Sequence, residues 1–516
     1  MSIRSDHLPD AVEIAFPDRV AGRTGFLEAI TSIHATDEAG RELAVLVEGA
    51  SAFVGVQGGQ ALYLSYQIAP RDRDLNHASR FRAIGSADRF FSFGHAIVAQ
   101  PLDLNPDFDR NARVTVHAED GVWQIRSTLP LDEAHSINQL VDAGYFAGRF
   151  EHVQRARGGR TVDLWIEESI ASQPQTLADL ALAVVEAQAD LLGEAANGTR
   201  VVVLRRADDV DARTGSGRAG GFILEVGDNV DARTDGLTEL IAHENFHRLN
   251  GHTLTFAARD QLQTMWFREG VTDFVSMQNA AARGLIEESA FFRYLGRAIA
   301  AYLNNPARQV PMSSMSEDFW TNRDMQRFPY DHGAIAALLI ELELRRTGGG
   351  TVEGFFGYLG GDASALVLPL TNAAIRDALE RYSGASWTAF FDEHILGGEP
   401  LPVFSQLNEI GLEVVERVEP APYYGFRTSI TVDGGWFVSQ VDAGSPSAAA
   451  GVYPGMELRS EPYVPQHSVD ATARLDEVTN RGIRTIQVQA GQGQRRAFAL
   501  TAAEDSYRAW FGFGDE

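Results

Sequence analysis

The chain of 516 residues contains no cysteine. Disulfide bonds and thiolate metal sites are therefore excluded, and any metal ion must be held by histidine and carboxylate side chains. Lysine is also absent, since all 44 basic residues are arginine, which excludes catalysis by a lysine amine. No run approaches the roughly 20 apolar residues of a membrane-spanning helix. Residues 1–8 lack the apolar segment of a signal peptide.

Positive charge is scarce as well. The formal net charge of -26 leaves no basic surplus to neutralise phosphates, which argues against a nucleic-acid partner. Hydrophobic and charged contents of 44% and 22% are those of a globular protein without a membrane span. The chain as given fits a cytoplasmic protein, or a periplasmic or secreted one if a leader was omitted. Nothing in the composition indicates an oligomeric state.

The length predicts about three domains in a multidomain α+β protein. Residues 1–168 are predicted to form a β-sandwich-like domain, because short alternating runs at 42–47, 61–66 and 113–118 are separated by turn residues. Residues 169–400 carry helical periodicity and are predicted to form an α-rich catalytic domain. Residues 401–516 are predicted to form another β domain.

Within the middle domain, buried strands are predicted at 200–204 and 221–226, with a solvated loop between them. Helices are predicted at 177–192, 235–250, 264–283, 287–304, 330–346, 371–382 and 386–396.

Residues 243–247 read H-E-N-F-H at the end of an apolar-periodic run. On a helix, His243 and His247 project from one face and can share a metal ion. Glu244 stands one position on, close enough to take a proton from a water at the metal. This pattern is typical of a zinc hydrolase with one Zn²⁺ ion. Asp273 is a candidate to accept the second ring N–H of a metal-bound histidine, although a solvated helix Asp is an equal alternative.

Residues 266–272, W-F-R-E-G-V-T, resemble the second half of the gluzincin signature. That resemblance implies that Glu269 is the third zinc ligand. Residues 329–334, P-Y-D-H-G-A, resemble the segment of aminopeptidase-type gluzincins whose tyrosine stabilises the oxyanion, which implies that role for Tyr330. His332 stands where that segment has lysine.

Residues 438–458 are similar to the G-S-P-A-x-x-A-G-L-x-x-G-D signature of PDZ domains, with Met456 in place of Asp. Upstream, Tyr424, Gly425 and Phe426 resemble the loop that captures a peptide carboxylate in those domains. Together with residues 390–392 and 397–402, the ordered motifs resemble the glycyl aminopeptidase family of zinc metallopeptidases. The resemblance implies a β domain, a thermolysin-like catalytic domain and a PDZ domain.

The resemblance implies hydrolysis of peptide or protein substrates, with aminopeptidase action on small N-terminal residues. Glu225 occupies the place of a family segment that recognises the free amino end, but no histidine follows it. A solvent-facing strand Glu is therefore equally compatible. Two alternatives remain: a zinc endopeptidase whose PDZ-like domain docks substrates, and a non-catalytic peptide-binding or scaffold protein.

Overall fold

The computed structural model describes most of the chain. The described residues are 2–4, 10–16, 18, 27–56, 61–70, 75, 81–86, 89–102, 124–168, 170, 173–192, 198–206, 211–231, 235–257, 260–315, 317–320, 322–361, 368–431, 435–459, 462, 464, 470–502 and 505–513. The strand predicted at 113–118 lies outside these residues.

The N-terminal region is built from short antiparallel strands. Two of its sheets, β4-β5-β2-β9 and β1-β6-β3, contribute to one apolar core; a third sheet has the order β10-β11-β8-β7. Strands near the predicted runs at 42–47 and 61–66 are present. The elements are β1 (Ser2–Arg4), β2 (Ala11–Ala15), β3 (Ile30–Thr36), β4 (Val45–Glu48), β5 (Ser51–Gly55), β6 (Ala61–Ile68), β7 (Ile84–Gly85), β8 (Arg89–Phe93), β9 (Gln100–Pro101), β10 (Arg126–Ser127), α1 (Ile137–Asp142) and β11 (Gly144–Gly148).

A five-stranded sheet with the order β12-β13-β14-β16-β15 supports the middle of the chain. Its strands are β12 (Phe150–Arg157), β13 (Arg160–Glu167), β14 (Thr199–Arg205), β15 (Arg213–Arg218) and β16 (Gly221–Val226). The predicted boundary at residue 168 differs from this arrangement, because β12 and β13 already belong to the sheet. The loop predicted between β14 and β16 contains β15, which pairs antiparallel with β16 as an edge strand.

Helices cover this sheet and form the main apolar core. They are α2 (Pro174–Ala187), α3 (Ala189–Leu192), α4 (Asp235–Phe246), α5 (Thr272–Ala282), α6 (Glu288–Asn304), α7 (Arg323–Thr347), α8 (Val352–Gly361), α9 (Asn372–Ser383) and α10 (Thr388–Phe390). Wider π-helical turns extend some of them, at Arg248–Thr253, Trp266–Val271 and Phe391–Ile395. No helix in the described part of the chain is long and apolar enough to cross a membrane.

Helix α7 begins earlier than the predicted start at Tyr330. The side chain of Asn322 caps it by accepting hydrogen bonds from the backbone N–H groups of Asp324 and Met325. Pro329, which favours a first helical turn, instead lies inside the helix. The structure therefore places the start of α7 at Arg323, seven residues before Tyr330.

The C-terminal part contains α11 (Val403–Glu409), β17 (Leu412–Tyr423), β18 (Phe426–Ile430), β19 (Trp436–Val441), α12 (Pro446–Ala449), β20 (Glu457–Leu458), β21 (Thr472–Thr479), β22 (Gly482–Gln489) and β23 (Gly491–Ala502). Strands β18 to β22 form one sheet in chain order around their own core. The predicted strand–helix–strand order of 438–458 is present as β19, α12 and β20.

The long ribbon of β17 and β23 belongs to a different core. Phe498 of β23 and the following Phe511 and Phe513 lie in the same apolar core as the helices α2 to α9. Phe511 and Phe513 each contact the ring of Phe291 on α6, with centroids 5.4 Å apart. The segment predicted as one C-terminal domain is therefore divided between its own core and the main apolar core.

Candidate active site

Helix α4 positions the H-E-N-F-H motif between the sheet and the other helices. Its apolar side, including Ile241, Ala242 and Phe246, is buried in the main core. His243, Glu244 and His247 are also buried, and their metal-binding atoms all lie within 4.8 Å of one another. The helical spacing therefore does what the sequence predicts, bringing these polar groups to one place.

Hydrogen bonds fix the protonation of the two imidazoles. Nδ1 of His243 lies 2.7 Å from Oδ1 of Asp273, and Nδ1 of His247 lies 3.0 Å from the backbone oxygen of Asn250. Because an ionised carboxylate and a carbonyl can only accept, each Nδ1 carries a hydrogen. The two Nε2 atoms face each other across 3.0 Å, so a cation shared between them, either a proton or a metal ion, stabilises the pair.

Glu269 completes this triangle from a second element, the π-helical turn Trp266–Val271. Its Oε2 lies 3.5 Å from Nε2 of His243 and 3.3 Å from Nε2 of His247. Ligand atoms at about 2.0–2.1 Å from a tetrahedral zinc ion lie about 3.3 Å apart. The three atoms therefore fit a zinc ion.

Electrostatics at this triangle favour a cation. Burial opposes a charge on His243, but the carboxylate of Asp273 outweighs it and raises the pKa of the ring well above its usual value. Burial likewise opposes ionisation of Glu269, yet the facing histidines bring its pKa well below the usual range. The carboxylate is therefore ionised and able to bind a metal.

Asn250 joins the metal helix to the turn that holds Glu269. The buried side chain donates to the backbone oxygen of Phe267 at 2.9 Å and to Oγ1 of Thr272 at 3.0 Å, while its backbone oxygen accepts from His247. One residue thus orients a ligand on each element. Sequence reasoning noted Asn250 only as part of the motif and did not predict this role.

The edge strand β15 runs directly against α4. A Cβ atom at Gly215 would lie 2.5 Å from Cγ of Glu244, and one at Gly217 would lie 2.4 Å from Cβ of His247. Real Cβ atoms do not approach so closely, so only glycine permits this contact. The strand therefore confines Glu244 and His247 from the side opposite the helical core.

Tyr330 reaches the site from α7. Its ring lies nearly parallel to that of His243, with centroids 6.4 Å apart and an interplanar angle of 22°. Burial and the nearby carboxylates raise the pKa of the hydroxyl well above its usual value. The group therefore stays protonated and can donate a hydrogen bond.

The approach of α7 depends on two facing glycines. A Cβ at Gly333 would lie 2.0 Å from the backbone oxygen of Trp266, and one at Gly270 would lie 2.4 Å from that of Tyr330. Gly270 directly follows Glu269, and Gly333 is one helical turn from Tyr330. The glycine contact therefore sets the distance between the third ligand and the tyrosine.

A cavity of about 800 Å³ opens beside these residues. One polar atom in its wall, the hydroxyl of Tyr294, is buried and has no hydrogen-bond partner among the residues that the structure describes. Such an atom is costly to bury unless a ligand satisfies it. The lining residues are Arg213, Thr214, Gly215, Gly236, Glu239, Leu240, His243, Glu244, Asp273, Met277, Ala290, Arg293, Tyr294, Arg297, Ala298, Ala301, Arg327, Tyr330, Asp331 and Ala334.

Residues 236–335 match the model of the family described as M61 glycyl aminopeptidase. This range contains both histidines, Glu244, Glu269 and Tyr330. The chain is a zinc metallopeptidase.

Two solved structures have a similar fold. The metallopeptidase is similar to an aminopeptidase N family protein from Idiomarina loihiensis, with a TM-score of 0.70 and 16% identity over 99% of this chain and 96% of that one. It is also similar to an M1 zinc metallopeptidase from Deinococcus radiodurans, with a TM-score of 0.51 and 14% identity over 78% of this chain and 90% of that one. At these identities the likeness concerns the fold. No curated protein matches the chain by sequence.

Glu225 does not line the cavity of the metallopeptidase. It lies on β16 with its side chain fully buried, and its Oε2 is 3.3 Å from Nη1 of Arg206 and from Oγ1 of Thr214. A buried carboxylate held by an arginine is not available to a substrate ammonium. The substrate-binding role predicted for Glu225 therefore has no support in this geometry.

Tyr424, Gly425 and Phe426 form the turn from β17 into β18 and do not line the cavity. The backbone oxygen of Tyr424 accepts from the N–H of Ser447 at 3.0 Å, and that of Gly425 accepts from the N–H of Asp442 at 2.9 Å. These two hydrogen bonds thus hold the inner side of the turn to other residues of the same C-terminal part. In the described part of the chain, β18 pairs with β19 alone and forms an edge of its sheet.

Sequence reasoning missed the cavity residues outside the motifs. Arg213 and Gly215 lie on a strand that was predicted as a loop, because R-T-G-S-G-R has a single β-branched residue and no apolar alternation. Tyr294 lies on a helix that was predicted, but an aromatic residue at helical spacing is normally core. The repeated glycines of β15 were the one available signal, since glycine within a strand marks close backbone approach.

Proposed function

We propose that the metallopeptidase is an aminopeptidase that acts on small N-terminal residues, with one zinc ion held by His243, His247 and Glu269. The observation that carries the proposal is the convergence of three ligand atoms from two elements to within 3.0–3.5 Å, beside Glu244 and Tyr330. The description of the matching family as glycyl aminopeptidase supports the preference for a small residue.

Zinc, when bound, lowers the pKa of water to about 7 and polarises a carbonyl group. Glu244 takes the proton of the attacking water and passes it to the leaving amine. The hydroxyl of Tyr330 donates a hydrogen bond to the oxygen that becomes negative. Asp273 and the backbone oxygen of Asn250 keep the two imidazoles in the tautomer that leaves Nε2 free.

Replacing Glu244 with Gln tests this assignment. The E244Q variant keeps the shape of the side chain but cannot accept a proton, so we expect bound zinc to be unchanged and hydrolysis to fall by at least about 100-fold. Glu343→Gln is the matched control, because Glu343 is on the outer side of α7 and pairs with Arg346. Near-full activity of E244Q with zinc bound would show that another group is the base.

An endopeptidase is the second candidate. The burial of Glu225 favours it, because the predicted contact between this residue and a substrate ammonium is not available. The open edge of β18 also favours it, because an extended peptide could pair with that edge as an additional strand. Cleavage of a free peptide and of its N-acetylated form separates the two candidates. An aminopeptidase hydrolyses only the free form, whereas equal rates on both forms would refute the exopeptidase proposal.

A further inference from the structure

Arginine is the most frequent charged residue in the lining of the cavity. Four arginines line it, and besides Glu244 and Asp273 at the metal site the lining contains two carboxylates, Glu239 and Asp331. Three of the arginines have partners within the protein. These contacts are Arg297 to Glu239 at 3.1 Å, Arg327 to Asp331 at 3.1 Å, and Arg293 to Oγ of Ser289 at 3.0 Å.

Arg213, the fourth, has no ion pair or hydrogen bond within the part of the chain that the structure describes. It belongs to the edge strand β15, two residues before Gly215, so its side chain points to the same face, towards α4. Its guanidinium lies against Gly236, where a Cβ would be 2.7 Å from Nη1. The absence of a side chain at Gly236 therefore provides the space in which the guanidinium lies.

The position of Gly236 gives the distance of this cation from the metal. Gly236 and His243 are seven residues apart on α4, close to two full turns, so they share a face and are separated by about 10 Å along the axis. An extended peptide covers about 3.3–3.6 Å per residue. The guanidinium thus lies about three residues from the position of the scissile carbonyl.

We propose that Arg213 binds a carboxylate of the substrate about three residues from the scissile bond, so that the enzyme selects anionic peptides. This inference rests on the peptidase function proposed above. A guanidinium matches a carboxylate with two parallel hydrogen bonds, and no carboxylate in the part of the chain that the structure describes is paired with Arg213. The carboxylate comes either from the end of a short peptide or from an Asp or Glu side chain in a longer one.

Paired peptides test the proposal and separate the two sources. Tetraalanine is compared as free acid and as amide, and hexaalanine amide is compared with Asp or Asn at its fourth position. For the wild-type enzyme we expect kcat/KM to be about 10- to 100-fold higher for the anionic member of at least one pair. A ratio near one in both pairs would overturn the proposal.

Two variants connect the preference to Arg213. In Arg213→Gln the ratio of kcat/KM between the anionic and the neutral peptide of each pair should fall to near one; an unchanged ratio would overturn the proposal. Gly236→Ala should also lower the ratio by displacing the guanidinium, although alanine normally stabilises a helix relative to glycine. Arg346→Gln, which removes an exposed arginine outside the cavity, should leave the ratio unchanged.

A binding measurement tests this inference independently of the proposed function. If no peptide is cleaved by the zinc-loaded enzyme, the proposed function fails. The same peptide pairs are then titrated into the zinc-loaded Glu244→Gln variant, with dissociation constants as the readout. Tighter binding of the anionic peptides, lost on adding Arg213→Gln, supports the inference by itself, and equal binding refutes it.

Discussion

Replacing Gly333 with alanine tests whether the close crossing of α7 and the ligand turn positions Tyr330. The added Cβ would lie 2.0 Å from the backbone oxygen of Trp266, whereas carbon and oxygen atoms in contact are normally about 3.3–3.6 Å apart. The two elements must therefore separate by about 1 Å. Because the clash is with backbone atoms, no side-chain rotation relieves it.

The expected cost is larger for catalysis than for stability. Alanine is favoured over glycine by about 1 kcal/mol inside a helix, and overpacking costs about 1–3 kcal/mol, so the free energy of unfolding should fall by about 0–2 kcal/mol. A displacement of about 1 Å at a reacting group can reduce the rate about 100-fold. We therefore expect kcat of Gly333→Ala to fall by about that factor.

Gly357→Ala is the control for helix propensity. Gly357 is exposed on α8, and a Cβ there would contact nothing within 4 Å, so this variant should be stabilised by about 1 kcal/mol with unchanged kcat. Urea unfolding, bound zinc and peptide hydrolysis are measured for both. The reasoning is refuted if Gly333→Ala keeps kcat within twofold and matches the stability of Gly357→Ala.

Three further predictions concern neighbouring groups. Asn250→Ala removes the hydrogen bonds to the turn that holds Glu269, and zinc affinity measured by competition with a chelator should fall about 10- to 100-fold; unchanged affinity would contradict the role of Asn250. Asp273→Ala removes the acceptor that raises the pKa of His243, so the loss of zinc on acidification should begin at a lower pH than in the wild type, although affinity at neutral pH also falls. Tyr294→Phe removes a buried hydroxyl that has no partner in the described part of the chain, so unfolding should not become easier, while a lower kcat/KM would report its contact with substrate.

The parts of the site that depend on local sequence could be predicted. The spacing of His243 and His247 fixes their common helical face, and the segment around Glu269 resembled a known ligand turn. Their convergence from two elements agrees with that expectation. Tyr330 was likewise found through its own segment, although α7 begins seven residues before it.

Features that depend on contacts between distant segments could not be predicted in the same way. Gly270 and Gly333 come into contact only where α7 crosses the turn that holds the third ligand. Neither segment contains a sequence signal that identifies the other as its neighbour. Glu225 was assigned to the substrate because it occupies the place of a family segment that recognises the free amino end. Pairing of β16 with strands on both sides instead buries its side chain against Arg206.

The packing of residues near 510 on α6 has a consequence for the folding of the enzyme during its synthesis. Phe511 and Phe513 fill the apolar core beside Phe291, and the backbone oxygen of Phe511 accepts from the side chain of Gln278 on α5. During synthesis, α5, the helix that follows the third ligand, therefore lacks part of its apolar surroundings until more than two hundred further residues have been made. A ribosome-bound or proteolytically shortened form that lacks these residues exposes aromatic surface, which chaperones and proteases recognise. The apolar core around α5 and α6 is complete only when Phe511 and Phe513 are in place.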